Sequence, residues 1–375
     1  MVKKGDRLFL YKESSEYVTM PVSGTITNIS PVTGNTGEAV TCLTLETNTN
    51  QEGDNEFAGY ADTPDIASAA EYLQGIPGNP PLKLLADPGC RVTKIIINAV
   101  DADLVSTTQQ FVMTRFRDNI GKGVDLLKRL TGIQDIMIAL PESMSKLGAF
   151  GGMNLIKISC DYTDSLPEII IQKHLGIFKA PRKSFEDTGI CFLSAEAVFA
   201  LVDSYDRKEP VYEKFIGVTD KNGNTTRVKA TIGTPIHRIL TQLGIEAVEK
   251  DRVIIGGPLR GISAYTLYHP VLPDMDTIII QASSEIPVIS DYPCINCGNC
   301  IRICPANVPV NLLVRYLEAN LYQDAADSCD MLSCIECGLC SYVCRANIPI
   351  FQYIRLGKRE LIKLESEIET EAENA

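Results

Sequence analysis

The sequence predicts a multidomain chain of α/β and β parts that ends in a small α domain tied together by cysteines. Three observations predict it. At 375 residues the chain exceeds what one compact core holds, so about two to four domains are expected. Between residues 60 and 207, apolar strand-like runs alternate with helix-like runs, the signature of a mostly parallel sheet covered by helices. Near the C-terminus the pattern C-x2-C-x2-C-x3-C occurs twice, starting at Cys294 and at Cys334.

Composition narrows the function classes. Apolar residues make up 45% of the chain, enough for ordinary cores, and the net charge of −12 excludes nucleic acid as a partner, whose phosphates demand clustered Lys and Arg. No run approaches the roughly eighteen apolar residues of a membrane-spanning helix, so no transmembrane segment is expected. The opening "MVKKGDRLFLYKESSEY" is charged and lacks the apolar stretch and small-residue cleavage site of a signal peptide. A cytoplasmic protein is expected, with a peripheral place at the inner face of a membrane open to it. Thirteen cysteines in such a compartment point to metals or redox chemistry rather than disulfides.

Residues 1–50 read as short strands: "GDRLFLY", "YVTMPVSGTITNISPV" and "EAVTCLTLET", punctuated by Gly24, Pro31 and Gly34. They resemble a barrel-sandwich hybrid, the fold of lipoyl and biotinyl carriers, but "PVSGTI" offers no lysine at its tip, so a structural role is expected. The polar stretch 47–65 reads as linker. Residues 60–207 form the Rossmann-like α/β domain. Its strands are "KIIINAV", "DIMIALPE", "NLIKISC" and "GICFL", and residues 106–132 make a helix pair or one long helix ending at Gly132. "DSLPEIIIQKHLG" reads as a further helix, and Ser194 is placed to cap the helix that follows "GICFL". Residues 208–284 suit a β-grasp module: two strands about a turn at Asn222-Gly223, a helix from Pro235 with Thr234 as cap, then "DRVIIGG". His237 in that helix lacks a second candidate ligand beside it and reads as structural. In "VIIGGPLRG" the glycines read as a tight strand exit, since the G-x-G-x-x-G arrangement is missing.

The cysteine runs, in residues 285–365, carry the chemistry. Three thiolates at this spacing wrap one corner of an iron–sulfur cubane, because a short loop aims each sulfur inward. The fourth cysteine begins the next helix and points away; in two-cluster ferredoxins it ligates the other cluster. Two [4Fe-4S] clusters are therefore expected, one on Cys294, Cys297, Cys300 and Cys344, the other on Cys334, Cys337, Cys340 and Cys304. Zinc prefers paired C-x2-C units set further apart, often with histidine, and the three His of the chain lie elsewhere. Pro305 follows the first run; Arg345 replaces the expected proline after the second, with Pro349 four positions further on. Between the runs, "VPVNLLVRYLEANLYQDAADSC" reads as helix with Leu312, Leu313, Tyr316 and Leu317 on one face. Cys42, Cys90, Cys160, Cys191 and Cys329 are scattered and read as small hydrophobes. The acidic tail, residues 366–375, is expected to fray in water.

Taken together, "VKKGDRL", "PVSGTITNI", the strand and long helix of residues 95–132, "TRVKATIGTPI", "VIIGGPLRG" and both cysteine runs resemble the RnfC family. That family includes the peripheral subunit of ferredoxin:NAD oxidoreductases and the PduS-type cobalamin reductases. The resemblance covers nearly the whole chain and implies a flavin domain, an SLBB-type β-grasp and a dicluster ferredoxin domain. It also exposes departures. Where the family places a glycine-rich flavin-phosphate loop, this chain has "GIPGNPPLKLL" (75–85): Gly75, Gly78 and Lys83 are the vestiges, and Pro77, Pro80 and Pro81 have no N–H to give a phosphate. Where the family carries acidic residues near flavin and NADH, "NAVDADL" keeps only Asp101 and Asp103. FMN is not expected, and no catalytic residue is assigned. The reading is an electron-relay component between redox partners that are ferredoxin-, flavin- or NADH-linked. The alternatives are an FMN-dependent NADH dehydrogenase or cobalamin reductase component, and a ligand-sensing or assembly module.

Overall fold

At the N-terminus the strand signals pair locally. β1 (Arg7–Phe9) and β2 (Tyr17–Thr19) make one antiparallel pair; β3 (Gly24–Thr33) and β4 (Ala39–Thr47) make a longer one, with a register shift between Ile26 and Asn28. The computed structural model describes all residues except 10–16, 35–38, 52, 54–55, 145–152, 291 and 374–375, and the side chains of 368–373. The stretch expected to be linker is more than that. Phe57, in a 3-10 turn, is 1% exposed and meets the Tyr205 ring edge-on at 5.2 Å, so it anchors the core of the next layer.

α1 (Ile66–Tyr72), capped by Asp65, and α2 (Leu82–Ala86) lead into the α/β layer. Its sheet is parallel in the order β7-β6-β5-β8, with β5 at Lys94–Asn98, β6 at Asp135–Pro141, β7 at Asn154–Ile158 and β8 at Ile190–Ser194. Ile95, Ile96 and Ile97 in succession have no exposed surface, because a parallel sheet is covered on both faces. The segment 106–132 is a helix pair: α3 (Thr108–Arg115) and α4 (Arg117–Thr131), with Gly132 in the left-handed C-cap. α5 (Pro167–Ile170) continues as one π-helical turn over Ile171–Leu175. α6 (Ala195–Arg207) starts at Ser194, whose side chain accepts from the Ala197 N–H.

A five-stranded mixed sheet follows, in the order β10-β9-β13-β11-β12. It contains β9 (Glu213–Thr219), β10 (Thr225–Thr231), β11 (Arg252–Ile255), β12 (Ile262–Ser263) and β13 (Thr277–Gln281), the last parallel to β9. α7 (Ile236–Leu243) packs Ile236, Ile239 and Leu240 on this sheet; its cap is Pro235, one residue later than expected.

Where the sequence suggested four domains, the chain divides into two compact units: Met1–Ser165 with Phe185–Ser283, and Leu166–Ser184 with Ser284–Ala375. The α/β and mixed-sheet layers merge because buried polar side chains bind them, as described below. Residues 166–184, assigned by sequence to the α/β domain, group instead with the C-terminal unit, where Arg182 pairs with Glu365.

The C-terminal unit is helical: α8 (Asn299–Ile303), α9 (Val310–Glu318), α10 (Tyr322–Cys329), α11 (Leu339–Tyr342) and α12 (Ile350–Glu373). The single helix expected between the cysteine runs breaks at Asn320, whose φ of 57° is left-handed. Leu313, Val314 and Leu317 face the core while Leu312 is 40% exposed, so the apolar stripe is shifted from the one expected. α12 carries the helical backbone on to Glu373, into the stretch read from sequence as an acidic tail.

Candidate functional site

The two cysteine runs adopt one conformation twice. Asn296 and Glu336, each between two cysteines, both have φ 53°, and Gly298 and Gly338 follow at 74° and 77°. Asn307 and Asn347 then turn the chain at 56° and 49°. These left-handed steps curl each loop so that three sulfurs face one side, and Asn tolerates them well. The halves pack on each other, α8 on α11 and α9 on α12, over a core in which Val308 and Ile348, Val310 and Ile350, and Val314 and Ile354 occupy matching buried places.

This packing mixes the two runs. Cys294, Cys297, Cys300 and Cys344 line one open pocket together with Val314, Ile348 and Ile350. Cys344 reaches it from the second run. On the other side Cys334, Cys337 and Cys340 lie together, and Cys304 from the first run is close enough to act on two of them. Burial raises the Cys340 thiol, and negative charge on Cys334, Cys337 and Cys304 raises it further. Burial likewise pushes Cys334 up to about 11, opposed by Lys358 and reinforced by Cys304. Cys300 is raised by burial and by Cys294 and Cys297. Four thiolates left facing one another repel; bound iron reverses that balance and holds them deprotonated. Among the described residues no three His, Cys, Asp or Glu side chains converge as ligands of a single metal ion. Cys329, 1% exposed, belongs to the hydrophobic core, as does Cys191 in β8.

The vestigial flavin residues have other employment. From residue 77 to 82 every backbone position lacks an N–H or has spent it. Pro77, Pro80 and Pro81 have none; Gly78 donates to the Pro273 carbonyl at 2.7 Å, Asn79 to Ile76 at 3.0 Å and Leu82 to Pro80 at 2.8 Å. Gly78, at φ 75°, lies on the start of α6, where a Cβ would stand 2.6 Å from the Ala197 nitrogen. That helix end is itself satisfied: Ala197 N–H donates to Ser194, and Glu196 N–H to Gln109 Oε1 at 3.0 Å. Gly75 has open space around it, and the Lys83 ammonium sits over the Tyr17 ring at 5.1 Å. The N–H groups of Gly78, Asn79 and Leu82 are therefore bonded within the protein, as are those of Glu196 and Ala197.

Asp101 accepts from the Gln109 N–H at 2.9 Å and caps α3. Asp103 accepts from the N–H groups of Leu104, Leu259 and Arg260, and clasps the "GGPLRG" loop. Burial, outweighing these hydrogen bonds, raises both carboxyls. Gly257 is glycine because a Cβ there would come within 2.5 Å of the Asp103 carboxylate oxygen. Its neighbour Gly256 has a left-handed φ of 91°, as a tight strand exit requires.

One constellation escaped sequence reasoning. Lys214, with no exposed side-chain surface, donates to Glu196 at 2.8 Å and Asp276 at 3.2 Å. Glu196 also accepts from the Phe215 N–H, and Gln109 donates to Asp276 at 2.9 Å. A signal was present: Lys214 alternates with Ile216 and Val218 on the apolar phase of its strand, an inward place for a charge. His237 is half-buried and rests against the Tyr268 ring at 4.7 Å.

With this geometry in hand, known proteins can be compared. A family model described as a 4Fe-4S dicluster domain matches residues 286–345. An RnfC-type component of the Na(+)-translocating ferredoxin:NAD(+) oxidoreductase complex of Acetobacterium woodii is 24% identical over 96% of this chain and 87% of its own length. The corresponding component of the ion-translocating oxidoreductase complex of Serratia proteamaculans is 26% identical over 82% of this chain, and that of Vibrio cholerae 27% over 88%. The chain spans only 46% of either of these two relatives. A chain of an NAD+-reducing [NiFe]-hydrogenase shares the fold, with a TM-score of 0.50 and 12% identity over 82% of this chain and 65% of that one. These matches support the RnfC-like family that the motifs indicated. Among the described residues no helix is long and apolar enough to cross a membrane.

Proposed function

We propose that this chain is an iron–sulfur electron-transfer subunit of a larger redox complex, relaying single electrons through two [4Fe-4S] clusters between partner proteins. The observation that carries the reading is the mixing of the two runs, with Cys344 beside Cys294, Cys297 and Cys300, and Cys304 beside Cys334 and Cys340. Each cluster then takes three thiolates from one loop and one from the other, which keeps the two within a single small core. The relatives are named as subunits of oxidoreductase complexes, so other redox subunits are its partners. We read those partners as ferredoxin-, flavin- or NADH-linked, and the setting as cytoplasmic or peripheral at the inner face of the membrane. Residues 1–50 are read as a barrel-sandwich hybrid and 208–284 as an SLBB-type β-grasp, both serving as scaffold.

The clusters supply the one-electron chemistry; the protein holds them, excludes water and sets their surroundings. No FMN belongs to this reading, since residues 77–82 lack an N–H or have bonded it within the protein, and the Glu196 and Ala197 N–H groups at the start of α6 are bonded there too. A second reading, an FMN-dependent NADH dehydrogenase or a cobalamin reductase component, draws on the name of the Acetobacterium woodii relative and on Gly75, which has open space around it. One preparation separates them. Protein purified without oxygen is expected to carry about eight iron atoms, to give EPR signals of two interacting [4Fe-4S] clusters, and to lack flavin absorbance. Stoichiometric FMN with rapid bleaching by NADH would establish the second reading in place of the first.

A further inference from the structure

We propose that Lys358 sets the reduction potential of the cluster held by Cys334, Cys337, Cys340 and Cys304, and does so without moving the other. The proposal rests on the two-cluster reading above. The halves of the C-terminal unit are related by a constant shift of 40 positions, from Cys294 to Cys334 through Cys304 to Cys344. Ligands and core agree across that shift, and Arg315 matches Arg355, but two other charges do not. Asn296 stands where the second half has Glu336, and the exposed Glu318 stands where it has Lys358.

The surroundings differ accordingly. In the first half Asn296 accepts from Asn311 at 2.7 Å, a neutral pair. In the second, the Lys358 ammonium donates to the carbonyl of Cys334 at 2.7 Å and to Glu336 Oε1 at 2.9 Å, while Arg355 donates to Glu336 Oε2 at 3.2 Å. Two cations against one carboxylate leave net positive charge on the loop that carries three ligands. The Lys358 side chain is only 19% exposed, so water and salt screen it little. Reduction adds an electron to a group already made anionic by its thiolates, and a fixed cation a few ångströms away favours the reduced form. The first half has a cation too: Arg302 donates to the Cys297 carbonyl at 3.2 Å, but it is exposed, and solvent weakens its field. A purely structural role for Lys358 would be to hold Glu336 in its left-handed conformation.

The experiment is an EPR-monitored redox titration of the full chain loaded anaerobically with iron and sulfide. Lys358→Gln is expected to lower one midpoint about tenfold in the one-electron equilibrium, or roughly 59 mV, and to leave the other in place. Lys358→Arg retains the wild-type value, and Arg302→Gln moves the other cluster by less. Glu336→Gln, which leaves both cations uncompensated, raises the same midpoint that Lys358→Gln lowers. If Lys358→Gln fails to load that cluster, the sign of the Glu336→Gln shift decides. Unchanged midpoints in both variants, or a fall in Glu336→Gln, make Lys358 a structural clamp and overturn the proposal. A wild-type protein with iron for fewer than two clusters overturns the two-cluster reading itself, a separate failure visible before any variant is titrated.

Discussion

Lys214 shows how much a single side chain is asked to do in the larger unit. Its three hydrogens go to Glu196, Asp276 and the Phe215 carbonyl, so no donor is wasted in a place without water. Burial disfavours its charge, but Asp276 and Glu196 together outweigh that and raise it. Replacing it with Met leaves the buried Glu196 without its cation and facing the half-buried Asp276, and a loss of about 3 kcal/mol is expected in denaturant unfolding of that unit. The carboxylate side has its own signature. Burial first, and Asp276 after it, push Glu196 up to about 7 against the pull of Lys214. A folded carboxyl raised above its unfolded value, about 4.3, holds its proton more tightly than the unfolded chain does. Stability from this group is therefore full below the unfolded value and declines as pH rises toward 7. Calorimetry from pH 5 to 8 should show the melting temperature falling, and Glu196→Gln should flatten the fall. A flat wild-type profile would contradict the assignment.

At the scale of elements, the cysteine loops make a sharper demand than their spacing alone. Each run is contiguous in sequence, yet the cavity beside Cys294, Cys297 and Cys300 is completed by Cys344. The reading predicts which losses coincide. Cys297→Ser and Cys344→Ser should remove the same cluster, so the double variant keeps about four iron atoms, as each single variant does. Cys337→Ser and Cys304→Ser should likewise remove the other. Combining Cys337→Ser with Cys344→Ser should leave no intact set, and iron near zero. Iron analysis with EPR checks all three pairs; four iron atoms in the last variant would mean that each run serves its own cluster. Two other elements carry the opposite lesson. Residues 75–85 keep glycine and lysine at places that suggest a nucleotide loop, but the bond from Gly78 to Pro273 and the packing of Gly78 against Ala197 spend those features on structure.

Across the whole chain, what the sequence made legible was local and what it hid was long-range. The strands of the parallel sheet, the helical run ending at Gly132, the Ser194 cap and the spacing of the eight thiols all follow from periodicity, capping chemistry or spacing within a few residues; the break at Phe116 does not. Asp103 could be noticed but not understood, because its partners, Leu259 and Arg260, come from a loop more than 150 positions away. Long separations, 167 positions from Gln109 and 62 from Lys214, likewise concealed Asp276, and so concealed that the α/β and mixed-sheet layers share one unit.

The two units also differ in what holds them. The larger has a broad aliphatic core built on Ile95, Ile97, Ile138, Leu127 and Leu201. The smaller counts its own thiols among its core residues, with Cys300 and Cys340 beside Val314 and Ile354. Without iron those thiols lose the metal that ties the two loops together, so folding of that unit is coupled to its metal. Anaerobic chelation should accordingly release the amides of α8, α9, α11 and the first turns of α12 to rapid hydrogen exchange, while those of β5, β6 and β8 stay protected. Mass spectrometry of exchanged peptides reads both regions in one sample. Equal protection of the helices with and without iron would mean that apolar packing alone builds the C-terminal unit, and that the clusters enter a site already formed.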